Sequence, residues 1–171
     1  MLSKNQERFW NTLAKHNGKA YAGELLSVPP GDVIFTGKEL VMHVKSCEPD
    51  RIRVPFFVGD DRSRTWVFTR QTGGILLKHD HRHADGSPDE VTMYGGLTSH
   101  GGSDTMQVFP ADAETVERRP ATIGNVWWVE LVEGQYYTYN LRRIHTERLV
   151  SVRFDLTREV DPPADPWGWE G

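Results

Sequence analysis

The beginning of the chain repeats apolar side chains every three to four residues, which is the spacing of one face of an α-helix. Ser3 is a suitable N-cap residue, and Asn17-Gly18 supplies a stop signal after the periodic run. The pattern predicts a helix from Ser3 to Leu13. The residues that share its inner face are Leu2, Gln6, Phe9, Trp10 and Leu13.

From Tyr21 onward the pattern changes to short runs rich in β-branched and aromatic residues, separated by Gly-, Pro- and Asp-rich turns. About ten strands at hairpin spacing after one helix are typical of an antiparallel barrel or sandwich. The predicted strands are Tyr21–Val28, Glu39–Ser46, Arg51–Val58, Arg64–Thr69, Ile75–His83, Val91–Leu97, Thr105–Phe109, Thr115–Arg118, Val126–Val132, Tyr136–Ile144 and Arg148–Thr157.

The last two predicted strands show the clearest alternation of apolar and polar residues, as a sheet with one wet face requires. A two-residue turn at Thr146-Glu147 predicts that Tyr139 faces Phe154. Arg143 falls on the apolar face, where its head either reaches water or pairs with an acidic ligand group at a cavity mouth. The apolar face comprises Tyr137, Tyr139, Leu141, Val150, Val152, Phe154 and Leu156.

The meander from about Phe9 to Thr157, opened by a helix and closed by a hairpin, resembles the calycin group of barrels, which contains the lipocalins and the fatty-acid-binding proteins. The Gly-x-Trp motif of lipocalins is not met, because Gly18 is followed by Tyr21 one place too late. Arg153 is similar to the arginine of their final strand. The resemblance implies an up-and-down barrel that holds a ligand.

We therefore expect an all-β fold, a single antiparallel up-and-down barrel of about 8–10 strands over residues 1–160, with a short N-terminal helix. Residues 161–171, with three prolines and two tryptophans, form an extended tail that lies on the surface or binds a partner. The expected function is non-enzymatic binding of a small apolar or amphipathic molecule inside the barrel, whose interior has room for one ligand. The expected lining residues are Val54, Phe56, Trp66, Phe68, Ile75, Leu77, Tyr137, Tyr139 and Phe154, with Arg143 or His79 at the polar head.

Three histidines alternate along one predicted strand, at His79, His81 and His83. Positions i and i+2 of a strand point the same way, so His79 and His81 could hold one divalent transition metal ion. His83 lies ~13 Å from His79 along an extended strand, too far to share that ion. An even-numbered connecting loop places Tyr94 opposite His79, whereas an odd-numbered loop places hydrophobic residues opposite the histidines.

The same stretch partly resembles the first metal motif of the cupin family. Gly73, His79 and His81 match its spacing, Asp85 takes the place of its glutamate, and the second cupin motif is missing. The resemblance implies an alternative function, a cupin-like metal-dependent enzyme centred on His79 and His81. We favour structural or rim roles for the histidines, with no cofactor.

The composition of the chain excludes several classes of protein and of partner. The chain has 171 residues, 37% of them hydrophobic, and a formal net charge of −4, which suits one core and argues against a nucleic-acid partner. No apolar run is long enough for a membrane span, and the single Cys47 excludes an internal disulfide. The polar start predicts a cytoplasmic protein, although an exported form without its signal peptide would begin in the same way. The oligomeric state stays open.

Overall fold

Two α-helices and eleven β-strands make up the computed structural model, which describes residues 1–170. One turn of 3-10 helix, Pro120–Thr122, follows the second helix. In chain order the elements are α1 Lys4–Ala14, β1 Ala20–Ser27, β2 Leu40–His43, β3 Ser46–Cys47, β4 Arg51–Val58, β5 Asp61–Gln71, β6 Gly74–His81, β7 Tyr94–Leu97, β8 Met106–Pro110, α2 Ala113–Arg118, β9 Asn125–Val132, β10 Tyr136–Arg143 and β11 Leu149–Val160.

Ten of the strands lie in one antiparallel sheet in the spatial order β7-β6-β5-β4-β2-β1-β11-β10-β9-β8, and the short β3 pairs with β4 beside this path. β1 pairs with both β2 and β11, which joins the first strand of the chain to the last. The sheet forms a nearly closed barrel, so the predicted all-β fold class is confirmed. The architecture is compatible with a calycin-like barrel.

The predicted N-terminal helix is confirmed as α1, and it covers one end of the barrel. The Ser3 hydroxyl accepts a hydrogen bond from the backbone N–H of Gln6, and the Gln6 side chain accepts one from the backbone N–H of Ser3. The Gln6 amide also donates to the Thr98 hydroxyl at 2.9 Å. Phe9 and Leu13 are buried in the core, so α1 closes this end with apolar side chains.

The strand predicted at Thr115–Arg118 is wrong, because these residues belong to α2. The Asp112 carboxylate caps this helix by accepting a hydrogen bond from the backbone N–H of Thr115 at 2.9 Å. The Thr115 hydroxyl is buried and donates to the carbonyl of Gly95 at 3.0 Å. A capped helix therefore lies where the barrel sheet ends, next to β7.

The register predicted for β10 and β11 is wrong by two residues. Tyr139 lies opposite Val152, and the connecting turn has four residues, Ile144–Glu147. The Thr146 hydroxyl stabilises this wider turn by donating to the carbonyl of Arg143 and accepting from the backbone N–H of Arg148. A shift of two keeps every side chain on its predicted face, so the apolar interior is unchanged.

The C-terminal tail runs along the outside of the barrel. The backbone N–H of Trp167 donates to the carbonyl of Arg62 at 3.0 Å, and Asp165 pairs with Lys45 at 2.6 Å. The Arg53 guanidinium lies over the Trp169 ring at 4.1 Å. These contacts hold residues 161–170 against β4 and β5. No helix of the described chain has the length and apolarity needed to cross a membrane.

Candidate ligand-binding site

The centre of the barrel is filled by the side chains that the alternation places there. Trp66 stacks on Phe56 with ring centroids 4.8 Å apart and on Tyr139 at 4.5 Å. Tyr137 and Phe154 are fully buried beside Trp66. These rings interlock as a protein core does, so the middle of the barrel is packed rather than open. Other predicted lining residues in this core are Val54, Phe68, Ile75 and Leu77.

A cavity of about 130 Å³ remains at the end of the barrel opposite α1, and we call it the mouth cavity. Its floor is formed by Phe56, Trp66 and Tyr139 of the packed core. Leu141 and Val150, from β10 and β11, form an apolar wall. Five of the predicted site residues therefore meet at this cavity: Phe56, Trp66, His79, His81 and Tyr139.

The loop between β1 and β2 borders the mouth cavity with Ile34 and Phe35. The Phe35 ring stacks on Phe56 with 6.1 Å between centroids. The Asp32 carboxylate holds this loop by accepting hydrogen bonds from the backbone N–H groups of Phe35 and Thr36, each at 2.9 Å. Burial alone would raise the pKa of Asp32, but these hydrogen bonds lower it overall.

His79 is held in one neutral form between two partners. Its Nδ1 lies 2.9 Å from the carbonyl oxygen of Tyr94, and its Nε2 lies 2.9 Å from the Tyr139 hydroxyl. A carbonyl can only accept, so Nδ1 donates and Nε2 accepts from the hydroxyl. Burial lowers the pKa of His79 to about 3, which keeps the ring uncharged at neutral pH.

His81 lies on the same face of β6 and faces Tyr94 of β7. Its Nε2 is 2.9 Å from the Tyr94 hydroxyl, and the Tyr94 ring stacks on His79 at 4.6 Å. Burial, followed by the neighbouring charge of Arg64, lowers the pKa of His81 to about 4. Tyr94 pairs with His79 across the two strands, as the even-numbered loop predicts.

The two imidazoles do not fit a His-x-His metal centre. Among residues 1–170, no group of three or more His, Cys, Asp or Glu side chains is placed to hold a metal ion. Both nitrogens of His79 have hydrogen-bond partners, and Tyr94 binds Nε2 of His81. Asp85, the acidic position of the cupin resemblance, accepts hydrogen bonds from Ser87 within its own loop. We therefore derive no chemistry through a metal.

The positive charges at the mouth cavity come from Arg64 and Arg148. Arg64 forms an ion pair with Asp61. The Nε atom of Arg148 is buried and has no hydrogen-bond partner within the described chain. Arg143, the predicted cation, does not border this cavity, because its Nε donates to the side-chain oxygen of Asn125 at 2.8 Å.

The sequence prediction missed Arg64 and Arg148, although the alternation of inward- and outward-facing residues along their strands indicates where both lie. Arg64 has the same parity as Trp66 on β5, and Arg148 has the same parity as Val150 at the start of β11. Each arginine lies two residues before an inward-facing residue, so the same alternation, continued to the start of the strand, would have placed both arginines at the edge of the cavity. Phe35 carries no such signal, since it lies in an irregular loop.

Comparisons with known proteins do not define a family for this chain: no protein-family model matches it, nor does any curated protein or solved structure. A fold alone does not define a function, which follows from the residues of the site.

Proposed function

We propose that this chain is a non-enzymatic binding protein for one small amphipathic molecule, held in the mouth cavity. The observation that supports this proposal is the stacked aromatic floor of Phe56, Trp66 and Tyr139, which borders an opening on one side. Pockets for small molecules combine such apolar surfaces with a few polar groups that orient the ligand. Here the polar groups are Arg64, Arg148 and the neutral imidazole of His81.

The volume sets the size of the ligand. An apolar cavity of ~150 Å³ accommodates a molecule the size of benzene, and the mouth cavity measures about 130 Å³. One ring, or a short branched chain, would fill it. The polar end of the molecule would face the arginines at the rim, while its apolar part would contact Trp66 and Val150.

Native mass spectrometry of the freshly purified protein tests whether a ligand is carried. We expect an organic adduct that disappears in the denatured mass. Titration of the stripped protein with one-ring probes, followed by fluorine NMR, then measures binding directly.

A pair of neighbouring variants locates the site. Val150→Phe adds a ring to the wall of the mouth cavity and should weaken probe binding by about tenfold or more, since a filled cavity excludes the ligand. Leu149→Phe makes the same kind of addition at the neighbouring residue, which points to the opposite face of β11, and should leave binding unchanged. Equal binding by the two variants would place the ligand elsewhere and contradict the proposal.

A further inference from the structure

The polar wall of the mouth cavity carries one positive charge without a counter-ion. Arg64 is neutralised by Asp61, with 2.5 Å between Nη1 and the carboxylate oxygen. None of the ion pairs within residues 1–170 includes Arg148. Its Nε is buried without an acceptor in that part of the chain. A buried N–H that lacks an acceptor destabilises the fold, and an acceptor from outside the chain would remove that penalty.

The other polar groups of the cavity add no charge. His79 and His81 are neutral at pH 7, with pKa values of about 3 and about 4 that burial causes. Burial also raises the pKa of Tyr94 to about 12, so its hydroxyl keeps its proton. The charge offered to a ligand is therefore the single guanidinium of Arg148.

We propose that the mouth cavity selects a compact monocarboxylate, bound with its carboxylate on Arg148 and its ring against Trp66 and Tyr139. This inference rests on the proposed function and names its ligand class. A guanidinium presents two parallel N–H donors that match the two oxygens of one carboxylate. One negative charge balances Arg148, whereas a dianionic phosphate would bring a second charge with no partner. A cavity of about 130 Å³ excludes a long acyl chain.

The test compares two probes of equal shape, para-fluorobenzoate and para-fluorobenzamide, by fluorine NMR titration at pH 7. We expect the benzoate to bind at least ~10-fold more tightly, as charge-assisted hydrogen bonds are stronger than neutral ones. Arg148→Met should weaken benzoate binding by about 10- to 100-fold and benzamide binding by much less, about threefold, since the amide carbonyl forms only an uncharged acceptor for Arg148. Dodecanoate should bind more weakly than the benzoate, because its chain exceeds the cavity.

Arg142→Met is the matched control, because Arg142 is exposed on the outer face of the same hairpin. This variant should leave both affinities unchanged. If Arg148→Met does not fold, the affinities of the wild-type protein for the two probes still show whether the cavity selects a carboxylate. Equal affinities for benzoate and benzamide would overturn the carboxylate, and tighter binding of dodecanoate would overturn the compact ligand; in both cases the binding function stands. Saturable binding of none of these probes would overturn both.

Discussion

Burial decides the charge of the two histidines that face the mouth cavity. His79 has only 3% of its surface exposed, and its two ring nitrogens are hydrogen-bonded as those of a neutral imidazole. Protonation would place a charge in the core and turn the Nε2 acceptor into a donor facing the Tyr139 hydroxyl. A feature that looks like a metal motif along the chain therefore acts as a neutral link between β6 and β10.

The low pKa of His79 predicts how the free energy of unfolding depends on pH. An unfolded histidine has a pKa of ~6.5, whereas folded His79 has a pKa of about 3. Between these values the unfolded state binds a proton that the folded state does not, so the free energy of unfolding falls as pH falls. At pH 5.5 the contribution of His79 is a loss of about 1.3 kcal/mol relative to pH 7.

Urea unfolding of the wild type and of His79→Gln at pH 7 and pH 5.5 measures this contribution. The variant should lose less stability between the two pH values, by about 1.3 kcal/mol. His83→Gln changes an exposed histidine in the next loop and should keep the wild-type pH dependence. An unchanged pH dependence in His79→Gln would show that another group is responsible.

The barrel closes at the seam between β7 and β8, where strand pairing gives way to a few single contacts. The backbone N–H of Asp112 donates to the carbonyl of Gly95 at 2.9 Å, and that of Ser99 donates to Val108 at 3.2 Å. A Cβ atom on Gly96 would overlap the carbonyl oxygen of Pro110. Glycine is therefore required here for the backbones to approach closely.

Gly96→Ala should open the seam and lower the free energy of unfolding by about 3 kcal/mol or more, since the obstacle is backbone that cannot rotate away. Gly101→Ala is the comparison, because its Cβ would meet only the Ser3 side chain at 3.1 Å. Chemical denaturation measures both. An equal free energy of unfolding for Gly96→Ala and Gly101→Ala would contradict the requirement for glycine at position 96.

At the level of the whole molecule, the C-terminal tail acts as a strap on the barrel wall. Trp169 lies under Arg53 and within 5.1 Å of the Lys45 ammonium, while Asp165 pairs with that same lysine. These are exposed or half-buried contacts, so each is worth little by itself. Together they connect the end of the chain to β4 and β5.

Truncation after Val160 should lower the free energy of unfolding by about 1 to 3 kcal/mol and leave the barrel folded. Trp169→Ala should account for about 1 kcal/mol of that loss, through its cation–π contacts and its half-buried ring. Thermal unfolding measures stability, and para-fluorobenzoate titration should show unchanged affinity, because the mouth cavity contains no tail residue. An unchanged melting temperature after truncation would mean that the strap contributes nothing.

The sequence by itself determined which residues face inward. Parity along a strand survives a register error of two, so Tyr139 and Phe154 lie inside the barrel although they do not face each other. The capping residue Ser3 and the apolar spacing behind it likewise determined α1. Both signals are local, and a local signal does not depend on how distant segments meet.

Only the tertiary structure decided where the interior is filled and where it is open. Whether Trp66 borders a ligand or a neighbouring ring depends on side chains from β4 and β10, whose packing no local pattern encodes. Which of Arg143 and Arg148 borders the mouth cavity likewise depends on Asn125, which holds Arg143 and lies 18 residues away from it in the chain. Hydrogen bonds across that distance form only when the barrel closes, so the site follows from the fold.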